Sequence, residues 1–143
     1  MQVKDIMSSE VVTVEPNDTV EQAAKMMEMY NVGSIPVCEG DRVIGIVTDR
    51  DIALRSVAHG NNIRRQRVRD VMSRNPIVGT PEMDAHEAAG LMSRRQVRRL
   101  PIVQNNALVG IVALGDISVQ PKLQDNAQQA LSNISQPDGG QLT

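Results

Sequence analysis

The feature that most constrains this chain is that it contains one pattern twice. Set against itself at an offset of 65 residues, the 143-residue sequence aligns without a gap from Val3–Ile52 onto Val68–Ile117. Fifteen of the fifty aligned positions are identical, among them Asp5/Asp70, Met7/Met72, Pro36/Pro101, Gly45/Gly110 and Asp51/Asp116, where ordinary composition yields about three. A unit of about 60 residues buries too little surface to be comfortable alone, so the two copies are expected to pack together.

Each copy carries the same order of local signals. VVTV (Val11–Val14) and PIVG (Pro76–Gly79) are short, β-branched and followed by Pro16 or Pro81, which predicts a brief strand entering a turn. A helix follows, capped in the first copy by Asp18 or Thr19. Its apolar stripe is Val20, Ala23, Ala24 and Met27, answered by Ala85, Ala88, Ala89 and Met92, and at helical spacing these Met and Ala residues read as a core face. SIPV then RVIGIVT, and LPIV then ALVGIVA, predict two hairpins turned at Glu39–Asp41 and Gln104–Asn106. A second helix begins near Arg50–Ile52 and near Gly115–Ile117. The order per copy is thus strand, helix, strand, strand, helix. The divisions are residues 1–58, a polar connector 59–67, residues 68–120, an amphipathic helix over 121–135 with Ala127, Ala130, Leu131 and Ile134 on one face, and a disordered tail 136–143.

Composition narrows the chemistry. With no Trp or Phe and a single Tyr, the core rests on Val, Ile, Leu, Ala and Met. A net charge of -2 gives no long-range field to gather a nucleic-acid polymer. Cys38 is the lone cysteine and lies in an apolar run, which predicts a buried thiol with no disulfide. The amino terminus lacks an apolar signal segment, and no run approaches the roughly 18 apolar residues of a membrane helix, so a cytoplasmic protein without membrane contact is expected. His59 and His86 stand apart from any ligand-spaced partner, and no P-loop, nucleophile elbow or zinc-protease motif occurs, so neither a metal site nor an enzyme is expected.

The openings VKDIMS and VRDVMS, the middles SIPV and RLPI, and the closings GIVTDRDI and GIVALGDI together resemble CBS domains, present here as a tandem pair spanning nearly the whole chain. The resemblance implies an α/β (α+β) module of two βαββα repeats with pseudo-two-fold symmetry, a homodimer, and a regulatory, energy- or stress-sensing role. It further implies an adenine nucleotide or related adenosyl ligand (AMP, ADP, ATP or S-adenosylmethionine) bound between the repeats, with no cofactor required.

By that resemblance Thr48 and Asp51 of GIVTDRD hold ribose and phosphate: an ionised carboxylate can accept from both ribose hydroxyls, and a hydroxyl can join backbone N–H groups on phosphate. A simpler role for the same spacing is a helix cap. Arg50, with Arg98 and Arg99 from the other repeat, would grip phosphate, while Ile46, Val47, Pro76 and Ile77 would flank the ring. The second cleft keeps Asp116 but offers Ala113, Gly115, Gly33 and Ser34 elsewhere. It loses contacts worth about 1.5–3 kcal/mol each, so it is expected to be weak or empty. Two other readings stand beside this one: a structural module whose clefts hold no nucleotide and whose partner is another protein, and nucleic-acid contact through Arg64, Arg65, Arg67, Arg69, Arg94 and Arg95, which otherwise read as solvated surface.

Overall fold

The computed structural model describes residues 1–120 and 124–135; the expected tail, 136–143, lies outside them. The chain forms two compact units whose limits differ from those of the repeats. One unit is Val12–Pro76, and the other joins Met1–Val11 to the chain from Ile77 onward.

In the Val12–Pro76 unit, α1 (Val20–Tyr30) starts at Thr19 rather than Asp18. The Gln22 amide donates to Thr19 Oγ1 (3.1 Å) and the Thr19 amide to Gln22 Oε1 (2.7 Å), closing a reciprocal cap. The helix stops at Asn31, held in the left-handed region. Strand β1 (Ser34–Glu39) returns antiparallel as β2 (Arg42–Thr48) through a turn in which Gly40 supplies the positive φ, and α2 (Asp49–Arg55) follows without a linker. Val20, Ala23 and Met27 pack with Ile35, Val37, Val47 and Ile52, so the methionine stripe is core. Cys38 is buried on β1, and desolvation pushes its thiol above the ordinary value.

The second unit repeats the plan with α3 (Ala85–Arg95), β4 (Arg99–Gln104), β5 (Ala107–Ala113) and α4 (Leu114–Ser118). It adds α5 (Gln124–Ser135), which packs on α3 and α4. Ala127 and Ala130 are buried there, and Asn133 is hydrogen-bonded to Ser93 and Gln96 of the α3 end.

The VVTV and PIVG segments are not strands. Each meets its sheet at one parallel bridge, Val14 to Val37 and Gly79 to Ile102. Their β propensity is overruled one residue later. Asp18 accepts from the Glu15 amide (2.8 Å) and its own amide donates to the Glu15 carbonyl (3.1 Å), turning the chain at Pro16 and Asn17, and a turn from Thr80 to Met83 does the same in the other unit.

What completes each sheet is instead the opening of the other repeat. Strand β3 (Ser73–Arg74) pairs antiparallel with β2 at Ile46 and Gly45, while Ser8 and Ile111 exchange two hydrogen bonds of 2.9 Å. Just before each contact the chain is tied in the same way: Val68 donates to Asp18 (2.8 Å) and Arg69 to Pro16 (3.0 Å), as Val3 donates to Met83 (2.8 Å) and Lys4 to Pro81 (2.9 Å). Val68, Val71 and Met72 are thereby buried in the first unit and Val3 in the second.

Two glycines permit this exchange. A Cβ on Gly45 would lie 2.8 Å from both Met72 Sδ and the Ser73 carbonyl; one on Gly110 would lie 2.6 Å from Met7 Sδ and 2.9 Å from the Ser8 carbonyl. The sulfur could move, but the carbonyl cannot without opening the strand contact. Gly45→Ala and Gly110→Ala are therefore each expected to cost about 1–3 kcal/mol and several degrees of Tm in thermal denaturation. Gly115→Ala, whose Cβ would meet nothing within 4 Å, is expected to be neutral or stabilising. Equal melting of Gly45→Ala and the parent chain would refute the close-approach account.

Candidate functional site

The chemistry-bearing residues gather at the two strand-to-helix junctions, one in each unit. At the first, Thr48 ends β2 in extended geometry and caps α2: the Asp51 amide donates to Thr48 Oγ1 and the Thr48 amide to Asp51 Oδ2, both at 3.0 Å. The capping role of this spacing is real, and it occupies the hydroxyl and one carboxylate oxygen. The second oxygen, Oδ1, lies 3.8 Å from Arg55 Nε, and the Asp51 side chain is only 13% exposed. Arg55 also donates to the carbonyls of Val71 (3.1 Å) and Met72 (3.3 Å), so one guanidinium ties Asp51 to the exchanged segment. Sequence reading missed Arg55, although its position four residues beyond Asp51 on one helix was a visible signal.

Gly33 and Ser34 belong to this same junction. Ser34 pairs with Thr48 across the hairpin, and the Asp49 amide donates to the Gly33 carbonyl (2.9 Å). Arg50 is exposed, while Ile46 and Pro76 are half-buried in the same unit. Val47 is 0% exposed in the core, which removes it as a ring contact and leaves that capacity to Ile46.

The second junction is built differently. The Ala113 amide donates to Asp116 Oδ2 (2.8 Å), but Ala113 has no hydroxyl to return to the helix. The hairpin register sets Arg99 opposite Ala113, and the Leu114 amide donates to the Arg98 carbonyl (2.8 Å), so the arginine pair is anchored beside the helix start of its own repeat. Ile77 packs against this unit's core.

A cleft of about 580 Å³ opens here. Arg98 and Arg99 contribute cations, Ala113, Leu114, Gly115 and Ser118 form the junction wall, and α5 adds Ala127, Gln128 and Leu131. The small residues that replace Thr48 and Arg50 make room: a Cβ on Gly115 would meet nothing. Neither arginine forms an ion pair with a carboxylate among the described residues. A volume in the usual range for small ligands, two guanidiniums and apolar walls can receive an anion with an apolar body. Ser118, Gln128 and Leu131 were not singled out as site residues from sequence, because their convergence depends on where α5 packs.

The connector arginines have local work. Arg64 Nε lies 3.0 Å from Glu21 Oε2, a hydrogen bond that holds the Glu21 carboxyl below its ordinary value. Arg67 donates to the Asn17 carbonyl (3.0 Å) and Arg69 to the Asn17 side chain, fastening the connector to the loop before α1. Asp84, which caps α3 by accepting from the His86 amide (2.8 Å), is lowered chiefly by that bond and next by the His86 ring. Among the described residues there is no grouping of His, Cys, Asp and Glu able to hold a metal ion, and no helix long and apolar enough to cross a membrane.

The CBS-domain family model matches residues 3–57 and 68–119. This chain belongs to the CBS-domain family.

The CBS domain-containing protein YhcV of Bacillus subtilis is 49% identical over 133 residues, covering 93% of this chain and 94% of that protein. Hypoxic response protein 1 of Mycobacterium tuberculosis is 31% identical over 116 residues, covering 80% of this chain and 81% of that protein. Among solved structures, the CBS domain pair of MJ0100 in complex with 5-methylthioadenosine and S-adenosyl-L-methionine is 29% identical, with a TM-score of 0.73 over 82% of this chain and 93% of that one. The mixed α/β architecture and the doubled CBS pattern read from sequence thus stand.

Within this CBS chain, the cap at the first junction can be separated from any ligand role. With no ligand present, Thr48→Ala is expected to cost about 0.5–2 kcal/mol while Thr48→Ser costs little, read by denaturant unfolding. Ala113→Ser, which restores a hydroxyl at the second junction, is expected to raise stability. An unchanged midpoint for Thr48→Ala would mean the capping bonds carry no weight.

Proposed function

We propose that this chain is a regulatory, non-enzymatic module that senses an adenine nucleotide in the cytoplasm. The observation that carries the reading is the cleft beside Arg98 and Arg99, in a fold for which a similar CBS pair has been seen with two adenosyl compounds. Two guanidiniums favour a phosphate-bearing ligand over S-adenosylmethionine, whose sulfonium and ammonium leave it net positive, because each can make paired charge-assisted hydrogen bonds to phosphate oxygens. We assign phosphate binding to Arg98 and Arg99 and apolar contact to Ile77 at the second junction; at the first junction we assign apolar contact to Ile46 and Pro76 and polar contact with sugar or phosphate to Thr48, Arg50 and Asp51. Asp116, Gly33 and Ser34 are secondary. No step in this reading breaks a bond in the ligand.

The decisive experiment is a thermal-shift and calorimetry panel of adenosine, AMP, ADP, ATP and S-adenosylmethionine. At a hundredfold excess over Kd, a bound nucleotide is expected to add about 2.7 kcal/mol and to raise Tm by several degrees. Arg98→Ala and Arg99→Ala are expected to spare adenosine and weaken AMP about 10- to 100-fold, with a flatter salt dependence. Asp51→Ala is expected to weaken adenosine and AMP alike. No shift with any of the five at millimolar concentration would defeat the nucleotide reading in favour of a protein-interaction module.

Homodimer formation belongs to the same proposal. In the Val12–Pro76 unit Met29 is 71% and Val57 61% exposed, with Tyr30 and Leu54 also open, an apolar surface for which a partner is the ordinary explanation. Light scattering at micromolar concentration is expected to give twice the chain mass; a monomer would overturn it.

A further inference from the structure

The helix α5 has no counterpart in the Val12–Pro76 unit, where α2 runs instead into a short turn (Val57–His59) and the connector. Its buried side is accounted for: Ala127 and Ala130 pack into the core, and Asn133 is tied to the end of α3. The remaining question concerns Leu131, 44% exposed, and Gln128, also exposed. Both border the cleft that holds Arg98 and Arg99, and Leu131 follows Ala127 by one helical turn, so the two present a continuous apolar strip along it.

This arrangement divides the cleft by chemistry. The cations sit at the start of β4, whereas α5 brings an aliphatic surface and a primary amide that can donate and accept together. A ligand whose anionic end engages the arginines has an apolar planar portion left to place. Leu131 supplies contact area for such a group, and an amide is suited to the alternating donor and acceptor edge of a nucleobase.

We infer that α5 is the base-recognition wall of the arginine cleft, with Leu131 and Gln128 setting ligand specificity and ligand occupancy holding α5 against α3 and α4. The inference rests on the nucleotide reading above and adds to it a named surface, a division of labour and a coupling. Ligand binding and α5 docking are then one equilibrium seen from two sides, since a ligand that touches α5 only when it is docked must favour the docked form.

The test uses the full chain with AMP and with ribose 5-phosphate, which keeps the anion and lacks the base. Leu131→Ala is expected to weaken AMP by about 3- to 10-fold and Gln128→Ala by a similar factor, with ribose 5-phosphate unaffected in both. Gln129→Ala, on the same helix but away from the cleft, should bind AMP as the parent does, and Arg98→Ala should weaken both compounds. Hydrogen exchange is the second readout: AMP should slow exchange across 124–135 in the parent chain, and ribose 5-phosphate should not. If Arg98→Ala loses AMP while both α5 variants bind it normally and exchange in α5 is unchanged, the wall is disproved and the nucleotide reading survives. If Leu131→Ala weakens both compounds equally, or simply lowers ligand-free Tm without changing AMP affinity, α5 is a structural brace only. If neither AMP nor any other compound of the adenine panel binds the parent chain, both readings fall together.

Discussion

The structure depends on two places where backbone meets backbone over a glycine. Gly45 lets Ser73 and Met72 lie directly on β2, and Gly110 lets Ser8 and Met7 lie on β5. Most of what distinguishes this chain from two independent small domains follows from that approach. A repeat on its own would leave a sheet edge unpaired and a core without Val68, Val71 and Met72, or without Val3. Exchanging openings repairs both deficits in each unit. Arg55 extends the repair toward the site, since it holds the exchanged segment by two carbonyls and faces Asp51.

The two junctions show how one inherited geometry can serve different ends. Both keep the aspartate at the third helical position, and in both a carboxylate oxygen accepts from the amide that precedes the helix. Thr48 uses its hydroxyl to finish the cap. At the other junction Ala113 and Gly115 withdraw side-chain volume, and the space becomes a cleft bordered by arginines and by α5. The substitutions that made the second junction look impoverished in sequence are the ones that open it in space.

Local signals made the helices and hairpins legible. The stripes Val20–Ala23–Met27 and Ala85–Ala88–Met92 face the core as their spacing implied, and the turns fall at Gly40 and at Asn105–Asn106, where positive φ is needed. What failed was the first strand of each repeat, because propensity in VVTV yields to the turn set by Asp18 one residue later. The exchange itself could not be read locally, since β3 finds its partner far back along the chain and nothing in Ser73–Arg74 names it, although the paired identities of Gly45/Gly110 and Met7/Met72 marked the places. At the site, the Thr48–Asp51 cap was readable from spacing, whereas the sequence reading set Arg98 and Arg99 with Thr48 of the other repeat and did not use the hairpin register that puts Arg99 opposite Ala113 and Ser34 opposite Thr48. The part played by α5 was not readable, because helix packing turns on which neighbour receives the apolar face, and sequence periodicity is silent on that.

The exchanged openings also determine where this molecule can be divided. A cut between the repeats, in the connector, would separate Val68–Met72 from the sheet it completes only if the fragments part. A cut near Pro76, where the chain passes from one unit to the other, would keep β1, β2 and β3 in one piece and put Ser8 and its partner Ile111 in different ones.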